Sequence, residues 1–552
     1  MTRNVPEHGF VEALRSRLAW IPAAERELSQ DVSRRLLIAG LTLVAVSAAA
    51  FFLAPPYRSV AIVAVVLVAA IFSVAQQMPG AGAFALALVL ALSEYQPNSV
   101  AQMLSRYQLG SIWAAQLTSR FVAADLALAV ALGLTMWIAF RARARLGIAK
   151  LDRLMIGLAL IILCAAIIGL VSRDGAEDLR FWLFDVRAFV YLFGGYFIAR
   201  TLVLSSTTHQ AAQLAILLLG MTFVAAAAYN TLFPTGFYTV SATNVILISE
   251  LALLVTTFLL LGGVYAGRAP RPGLLLWAGI SAVMFFVDYI SGRRLVLLFV
   301  SLALIGIAFV AGRARWRVLV SLAGAVVGVF VVFRVVSPTG FDLALSSYVR
   351  TVQVATEIAT GEGRASSSPA PSVRSSEPSD PVATASPTVP SENKDLAEVQ
   401  VEMGMDTRIG EIHNVLGSLQ ARDALVQGLG LGKLWTITFP QPDDFFAVGP
   451  DLYGTGRRFA THVPGLDYLL RFGVVGSALW IVWGGLLVRF ALAQRGASVG
   501  VCLAAVLSGF LLLQTLWGNP RDFFLVGLLL GLVWCVAQES KEVAQRDTAT
   551  SR

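Results

Sequence analysis

Long apolar runs follow one another along most of the chain, and short polar loops separate them. Each run holds about 20 residues, enough for an α-helix to cross a hydrocarbon core about 30 Å thick. The runs are continuously apolar rather than alternating, which favours helices over a membrane barrel. By this length criterion the pattern predicts about fourteen spans. They lie at residues 36–54, 59–77, 80–94, 121–140, 154–172, 184–204, 211–233, 244–264, 273–291, 295–312, 317–336, 470–490, 498–516 and 522–538.

One long polar stretch interrupts this pattern, so we predict an all-α polytopic membrane protein with one large loop. Its expected parts are an N-terminal arm (1–35), membrane helices 1 to 11 (36–336), the large loop (337–463), membrane helices 12 to 14 (464–538) and a C-terminal tail (539–552). The arm either lies on the membrane surface as an amphipathic helix or is a flexible tail.

The large loop is itself divided. Residues 361–393 hold six prolines among Ser and Ala, and we predict that they are disordered because such a composition cannot bury a core. Residues 394–428 have a helical pattern that ends at a glycine-rich turn. The run Gly428–Lys433 lacks the spacing and the following Ser or Thr of a phosphate-binding loop, so we interpret it as a turn.

Composition agrees with a membrane protein, since 57% of the residues are apolar and 14% are charged. The formal charge of +8 does not indicate nucleic-acid binding, because the cations lie mostly in short loops between spans. The three cysteines lie inside apolar runs and predict neither a disulfide framework nor a metal cluster. The first 35 residues are mixed polar and charged, so no cleavable signal peptide is expected.

The distribution of Lys and Arg orients the chain. With the N-terminus inside, the loops that fall on the inner side carry most of the cations, as in residues 141–153 and 313–317. By the positive-inside rule this places the large loop outside and both termini in the cytoplasm. We therefore expect a multi-pass membrane protein in contact with membrane lipids.

Several ionisable residues lie in or near the outer halves of the predicted spans, where charges pair with one another or line a polar cavity. We interpret Asp125 and Arg334 as interfacial residues that reach water. Glu250 lies about two turns into its span, which favours a functional or charge-pairing role. The set comprises Asp125, Asp185, Arg187, Glu250, Asp288, Arg293, Arg294 and Arg334.

The outer arginines predict an anionic partner. Arg293 and Arg294 break the positive-inside pattern, and a diphosphate at headgroup level would satisfy them because guanidinium binds phosphate through two parallel hydrogen bonds. Arg187 is a similar candidate, and local pairing with Asp185 is its alternative.

His462 ends the large loop beside an apolar helix. A histidine there can take a proton from an acceptor hydroxyl near neutral pH. Its alternative is an interfacial histidine that hydrogen-bonds the loop backbone. Asp443 and Asp444 are an acidic pair but not a metal motif, so we expect neither a metal nor another cofactor.

These residues carry a family resemblance. His462, with Gly473 eleven positions on and Gly476 three further, resembles the motif of the bacterial O-antigen ligase and O-antigen polymerase (Wzy-type) superfamily. Arg408, about 20 residues before Gly428-Leu429-Gly430, is similar to the arginine that precedes the family's "PllGxG" segment, although the "Pll" element itself is absent. Ser291-Gly292-Arg293-Arg294 resembles its Ser-Arg motif. The resemblance covers about residues 180–540.

The resemblance implies a GT-C-like fold and a metal-independent, inverting glycosyl transfer at the outer face of the inner membrane. The donor would be a glycan on undecaprenyl diphosphate, and the acceptor a glycan or lipid hydroxyl, in cell-surface polysaccharide assembly. Arg187, Arg293, Arg294 and Arg408 would hold the diphosphate. His462 would activate the acceptor, with Glu250 as a second catalytic candidate. Other polysaccharide-assembly proteins are further candidate partners, whereas nucleic acid is not.

Two other classes stay open from the sequence. A flippase or other transporter of lipid-linked glycans would have a similar span count, together with internal repeats and helices broken at mid-membrane. A membrane anchor or sensor would use the loop to bind a partner, but it would leave the outer arginines unexplained.

Overall fold

The computed structural model describes residues 64–71, 79–92, 113, 117–118, 121–141, 150–172, 176–202, 271–290, 315–336, 338, 345, 410–438, 457–458, 465–492, 520–521, 523–528 and 530–531. These residues are mostly helical. The named elements are α1 (Pro79–Leu92), α2 (Ala123–Arg141), α3 (Lys150–Val171), α4 (Ala176–Leu202), α5 (Arg271–Ile290), α6 (Arg315–Val336), α7 (410–420), β1 (Trp435–Thr436), β2 (Arg457–Arg458) and α8 (Leu466–Leu492).

Five of the described helices are long and apolar enough to cross a membrane. The qualifying segments are Ala123–Phe140, Leu151–Val171, Leu179–Thr201, Trp316–Val335 and Leu466–Leu487. Each coincides with a predicted span to within five residues at either end. The expectation of an all-α membrane protein is confirmed at this level, and the count of fourteen spans stays a prediction.

Helix α4 is the centre of the described bundle, because α1, α2 and α3 all pack against it. Helix α8 packs on α3, and its Trp480 meets Phe189 of α4 edge to face, with ring centroids 6.4 Å apart. The helical residues 523–528 also lie against α4, where Gly527 is too close to the Leu192 carbonyl to carry a Cβ. Such small-residue contacts allow the close helix approach that is common in membranes.

A buried ion pair joins α3 and α4 at one end of the bundle. Arg200 Nη2 donates to Asp152 Oδ2 at 2.6 Å, and the Tyr196 hydroxyl donates to Asp152 Oδ1 at 2.7 Å. Asp152 lies in the first turn of α3 and Arg200 in the last turn of α4. The two helices are therefore antiparallel, and their other ends, near Ser172 and Ala176, meet at the opposite end of the bundle.

Residues 410–438 form a small folded unit at that opposite end, which we call the cap. Helix α7 is followed by turns, then by the glycine run Gly428–Gly432, and then by β1, which pairs antiparallel with β2. A shared hydrophobic core joins α7, the glycine run, β1 and the start of α8; it comprises Val415, Leu419, Ala424, Leu429, Trp435, Leu466 and Leu470. The start of α8 therefore belongs to the cap as well as to the bundle.

The cap is also fixed internally by polar side chains of α7. Asn414 Oδ1 accepts hydrogen bonds from the Thr438 backbone N–H and hydroxyl, at 2.8 and 3.1 Å. Ser418 Oγ accepts from the Thr436 N–H at 3.0 Å. Of the predicted helix 394–428, residues 410–428 are described: 410–420 are helical, whereas 421–428 form turns, so the helix ends before the glycine run that was expected to end it.

Candidate functional site

Helix α8 is broken at Gly473, whose φ of 65° and ψ of −171° are not helical. A seven-residue first segment, residues 466–472, therefore precedes the long apolar part of α8. A break in a helix frees backbone groups that would otherwise bond four residues apart, and buried backbone groups need partners.

The cap backbone supplies those partners. The Leu470 and Arg471 carbonyls accept from the Leu429 and Gly430 N–H groups at 2.7 and 3.0 Å. Beyond the break, the Val474 and Val475 N–H groups donate to the carbonyls of residues 425 and 426 at 3.0 and 3.2 Å. Four hydrogen bonds thus replace the interrupted ladder of α8 and join the cap to it.

Glycine is required where these backbones meet. Gly428 and Gly473 both have positive φ, 75° and 65°, which side-chain-bearing residues rarely adopt. A Cβ on either one would overlap backbone atoms of the other. Gly430 lies in the same way against Gly169 of α3, and Gly432 against Trp182 of α4. The three alternate glycines of the run thus contact three different helices, which the interpretation of this run as a turn does not predict.

A buried charge cluster lies where the cap meets α4 and the first segment of α8, a place that we call the joint. Its members are Asp185, Asp467 and Arg471, which we call the Arg471 network. Arg471 Nε donates to Asp185 Oδ2 at 2.8 Å, and Arg471 Nη1 donates to Asp467 Oδ1 at 2.8 Å. Asp185 Oδ2 also accepts from the Gly432 N–H at 2.6 Å. The side chains of Asp185 and Arg471 are completely buried. One arginine therefore ties together α4, the first segment of α8 and the glycine run.

Helix α3 is tied to the same place. Lys433 follows the glycine run, is 1% exposed, and donates from Nζ to the Ser172 carbonyl at the end of α3. The Leu431 N–H donates to the Ala165 carbonyl of α3 at 3.0 Å. Lys433, the lysine of the sequence that looks like a phosphate-binding loop, is thus hydrogen-bonded to the C-terminal end of α3.

Arg187 lies on α4, two residues beyond Asp185. Its Nε is 2.8 Å from Asp125 Oδ1 of α2, close enough for an ion pair although the N–H is not aligned for a hydrogen bond. The Tyr191 hydroxyl donates to the same carboxylate oxygen at 3.0 Å. Among the described residues, Arg187 Nη2 is buried and has no hydrogen-bond partner.

The suggested local pair between Arg187 and Asp185 is wrong, because each residue has a different partner. Residues two apart on a helix do not face one another, and here Asp185 meets Arg471 whereas Arg187 meets Asp125. Asp125 is likewise more than an interfacial residue, since it also accepts from the Val122 N–H at the start of α2. Arg334 is exposed and bonds the nearby Pro338 carbonyl, as expected for an interfacial residue.

The described residues include one of the six predicted site residues, Arg187. The other five, His462, Glu250, Arg293, Arg294 and Arg408, lie outside the described part of the chain. His462 precedes α8 by four residues in sequence, and Arg408 precedes α7 by two. Their proposed roles stay predictions.

Two features of the site carried sequence signals that our interpretation did not use. Asp467 and Arg471 are four apart, the spacing at which opposite charges pair on a helix. Charged residues in an apolar segment usually have partners, which makes Arg471 a natural match for Asp185. The period-two glycines of Gly428–Gly432 indicate repeated close backbone approach, since each lacks a Cβ.

Comparison of the chain with models of known protein families and with curated proteins finds no match.

Proposed function

We propose that this protein transfers a glycan from a polyprenyl diphosphate to an acceptor hydroxyl, as a polysaccharide ligase or polymerase, at the outer face of the inner membrane. In the proposed reaction the acceptor oxygen attacks the anomeric carbon, and the bond from that carbon to the diphosphate oxygen breaks. The diphosphate leaves with the electron pair, and the acceptor proton goes to His462. Inversion at the anomeric carbon follows from this single displacement.

The observation that carries the proposal is the state of Arg187. Asp125 engages one side of its guanidinium, while Nη2 is buried with no hydrogen-bond partner among the described residues. A buried donor without a partner costs free energy, of order 1–3 kcal/mol. A phosphate oxygen would satisfy it, and Arg293, Arg294 and Arg408 are the proposed further cations for the same diphosphate.

The location of Arg187 also favours the proposal. It lies two residues from Asp185, where the cap meets α4. The cap continues, through the sequence that contains His462, into the first segment of α8. Arg187 is thus on a helix that the cap contacts, and His462 lies in the sequence between β2 and the first segment of α8.

The broken helix α8 gives no support to the transporter alternative. Transporters use the freed backbone groups of discontinuous helices to hold ions and substrates near mid-membrane. Here the break follows the seventh residue of α8, and cap backbone groups occupy the carbonyls before it and the N–H groups after it. These four groups are not available to a transported ion.

The test is an assay with the purified protein in detergent, supplied with a lipid-diphosphate glycan and candidate acceptors. Detergent removes the two compartments, so a transporter would yield no new glycosidic bond. Product that is longer than the donor glycan indicates a polymerase, and transfer to a lipid indicates a ligase. The proposal fails if no transfer occurs with any donor while the protein remains folded.

Variants of Arg187 make this assay specific. Arg187→Ala should lose most of the activity, and Arg187→Lys should recover only part of it, because an ammonium lacks the planar fork. Arg334→Ala is the matched control, since Arg334 is an exposed arginine near the end of α6. Equal activity in the Arg187→Ala and Arg334→Ala proteins would remove Arg187 from the site.

A further inference from the structure

The Arg471 network connects three parts of the joint: α4, the first segment of α8 and the glycine run. Arg471 bonds α4 through Asp185, bonds its own helix through Asp467, and accepts from the glycine run through its backbone carbonyl. Asp185 in turn accepts from Gly432 in the same run. Each of the three parts of the joint is therefore bonded to the other two through Arg471 and Asp185.

We propose that Asp185, Asp467 and Arg471 are positioning residues, which hold the cap at one fixed place over the end of the bundle that carries Arg187. This inference rests on the proposed function for its catalytic consequence. Asp185 of the network lies two residues before Arg187 on α4, and Asp467 lies five residues after His462 in sequence. In the proposed reaction the network thereby sets the distance between Arg187, which holds the diphosphate leaving group, and His462, the candidate base.

The guanidinium geometry explains why arginine is needed at position 471. Its Nε and Nη1 donate to two different carboxylates on two helices at 2.8 Å each. Lysine would keep the charge but could not hold both directions at once, since its ammonium is a point charge on a flexible stem. A misplacement of about 1 Å can cost about 100-fold in rate, so Arg471→Lys should reduce turnover while the chain still folds.

The described bundle offers a matched control in the Asp152–Arg200 pair. This buried pair also involves α4, with Asp152 on α3, but it lies at the end of the bundle away from the cap. Asp152→Asn and Asp185→Asn remove one partner from comparable buried pairs, so both should lower the unfolding temperature. Only Asp185→Asn should change the position of the cap and the turnover.

The position of the cap can be measured by double electron–electron resonance, which gives the distance between two spin labels. Spin labels are placed on cysteines at Gln420, exposed at the end of α7, and at Phe140, 88% exposed near the far end of α2. The 19 residues of α2 span about 28 Å at 1.5 Å per residue, so the pair reports on the cap relative to the bundle. Cys164, Cys502 and Cys535 are replaced by serine in every protein measured.

The expected result is one narrow distance distribution for the parent protein and for Asp152→Asn. Asp185→Asn and Arg471→Lys should give a broadened distance distribution. Their turnover per folded molecule should be at least about 10-fold below that of the parent protein, and the Michaelis constant for the donor should change less than turnover does. Unchanged distributions in both network variants would overturn the positioning role. So would turnover per folded molecule equal to that of Asp152→Asn.

The two proposals can fail separately. If the parent protein transfers no glycan, the proposed function is wrong, and the distance measurement still decides whether the network fixes the cap. If the parent protein is active and the network variants keep both its distance distribution and its turnover, the positioning role alone is wrong.

Discussion

Replacement of Gly473 by alanine tests the joint between the cap and α8. An alanine there must adopt a φ of 65° with a ψ of −171°, a backbone conformation that is essentially confined to glycine and costs about 1–3 kcal/mol. Its Cβ would also overlap the backbone of Gly428 and of residues 426 and 427. The substitution therefore forces either a strained joint or an undocked cap.

The magnitude follows from the hydrogen bonds at stake. Undocking breaks the four backbone bonds between the cap and α8, each worth about 0.5–1.5 kcal/mol, or roughly 2–6 kcal/mol together. The strained alternative costs at least the roughly 1–3 kcal/mol of the backbone conformation. We expect a loss of stability of about 1–6 kcal/mol, with cap undocking at the upper end.

Gly485→Ala in the same helix is the matched control. A Cβ at Gly485 would have no atom within 4 Å outside its own helix, and alanine stabilises a helix interior by roughly 0.5–1 kcal/mol relative to glycine. Thermal unfolding of both variants in the same detergent should move in opposite directions. Proteolysis should cut the Gly473→Ala protein faster between α7 and α8. Equal unfolding temperatures for the two variants would refute the packing argument.

Three further predictions concern residues that the described structure does not reach. A cysteine at Ser379 should be labelled by a membrane-impermeant maleimide from outside the cell, and exclusive labelling from the cytoplasm would reverse the proposed topology. His462→Ala should lower turnover about 10²–10⁴-fold, the usual contribution of a general base; His462→Gln should be similarly inactive, and near-normal turnover in it would make His462 a positioning residue. Arg408→Ala should lose donor binding, and full activity would remove Arg408 from the diphosphate site.

The spans were predictable because their signal is local. Twenty consecutive apolar residues need no knowledge of their neighbours, so α2, α3, α4, α6 and α8 coincide with predicted spans. The break in α8 was not predicted. Gly473 lies in a segment whose composition favours a continuous helix, and only the cap backbone, far away in sequence, makes the break stable.

The charge cluster shows the same limit for the site. The sequence singled out Asp185 and Arg187 as outer charges, because ionisable residues in apolar segments are costly. It could not assign their partners, since Arg471 is 286 positions from Asp185 and Asp125 is on another helix. Proximity along the chain favoured the wrong pair.

The alternation of the glycine run fixes the register of the cap on the bundle. Gly428, Gly430 and Gly432 alternate with Leu429, Leu431 and Lys433, so a shift of one residue would place a bulky side chain at every close backbone contact. A shift of two would restore glycine at only two of the three contacts. Single-residue insertions or deletions between residues 425 and 432 should therefore be far more damaging than whole-segment changes in 361–393. Length variation in this large loop is thus expected upstream of α7 and forbidden at the joint.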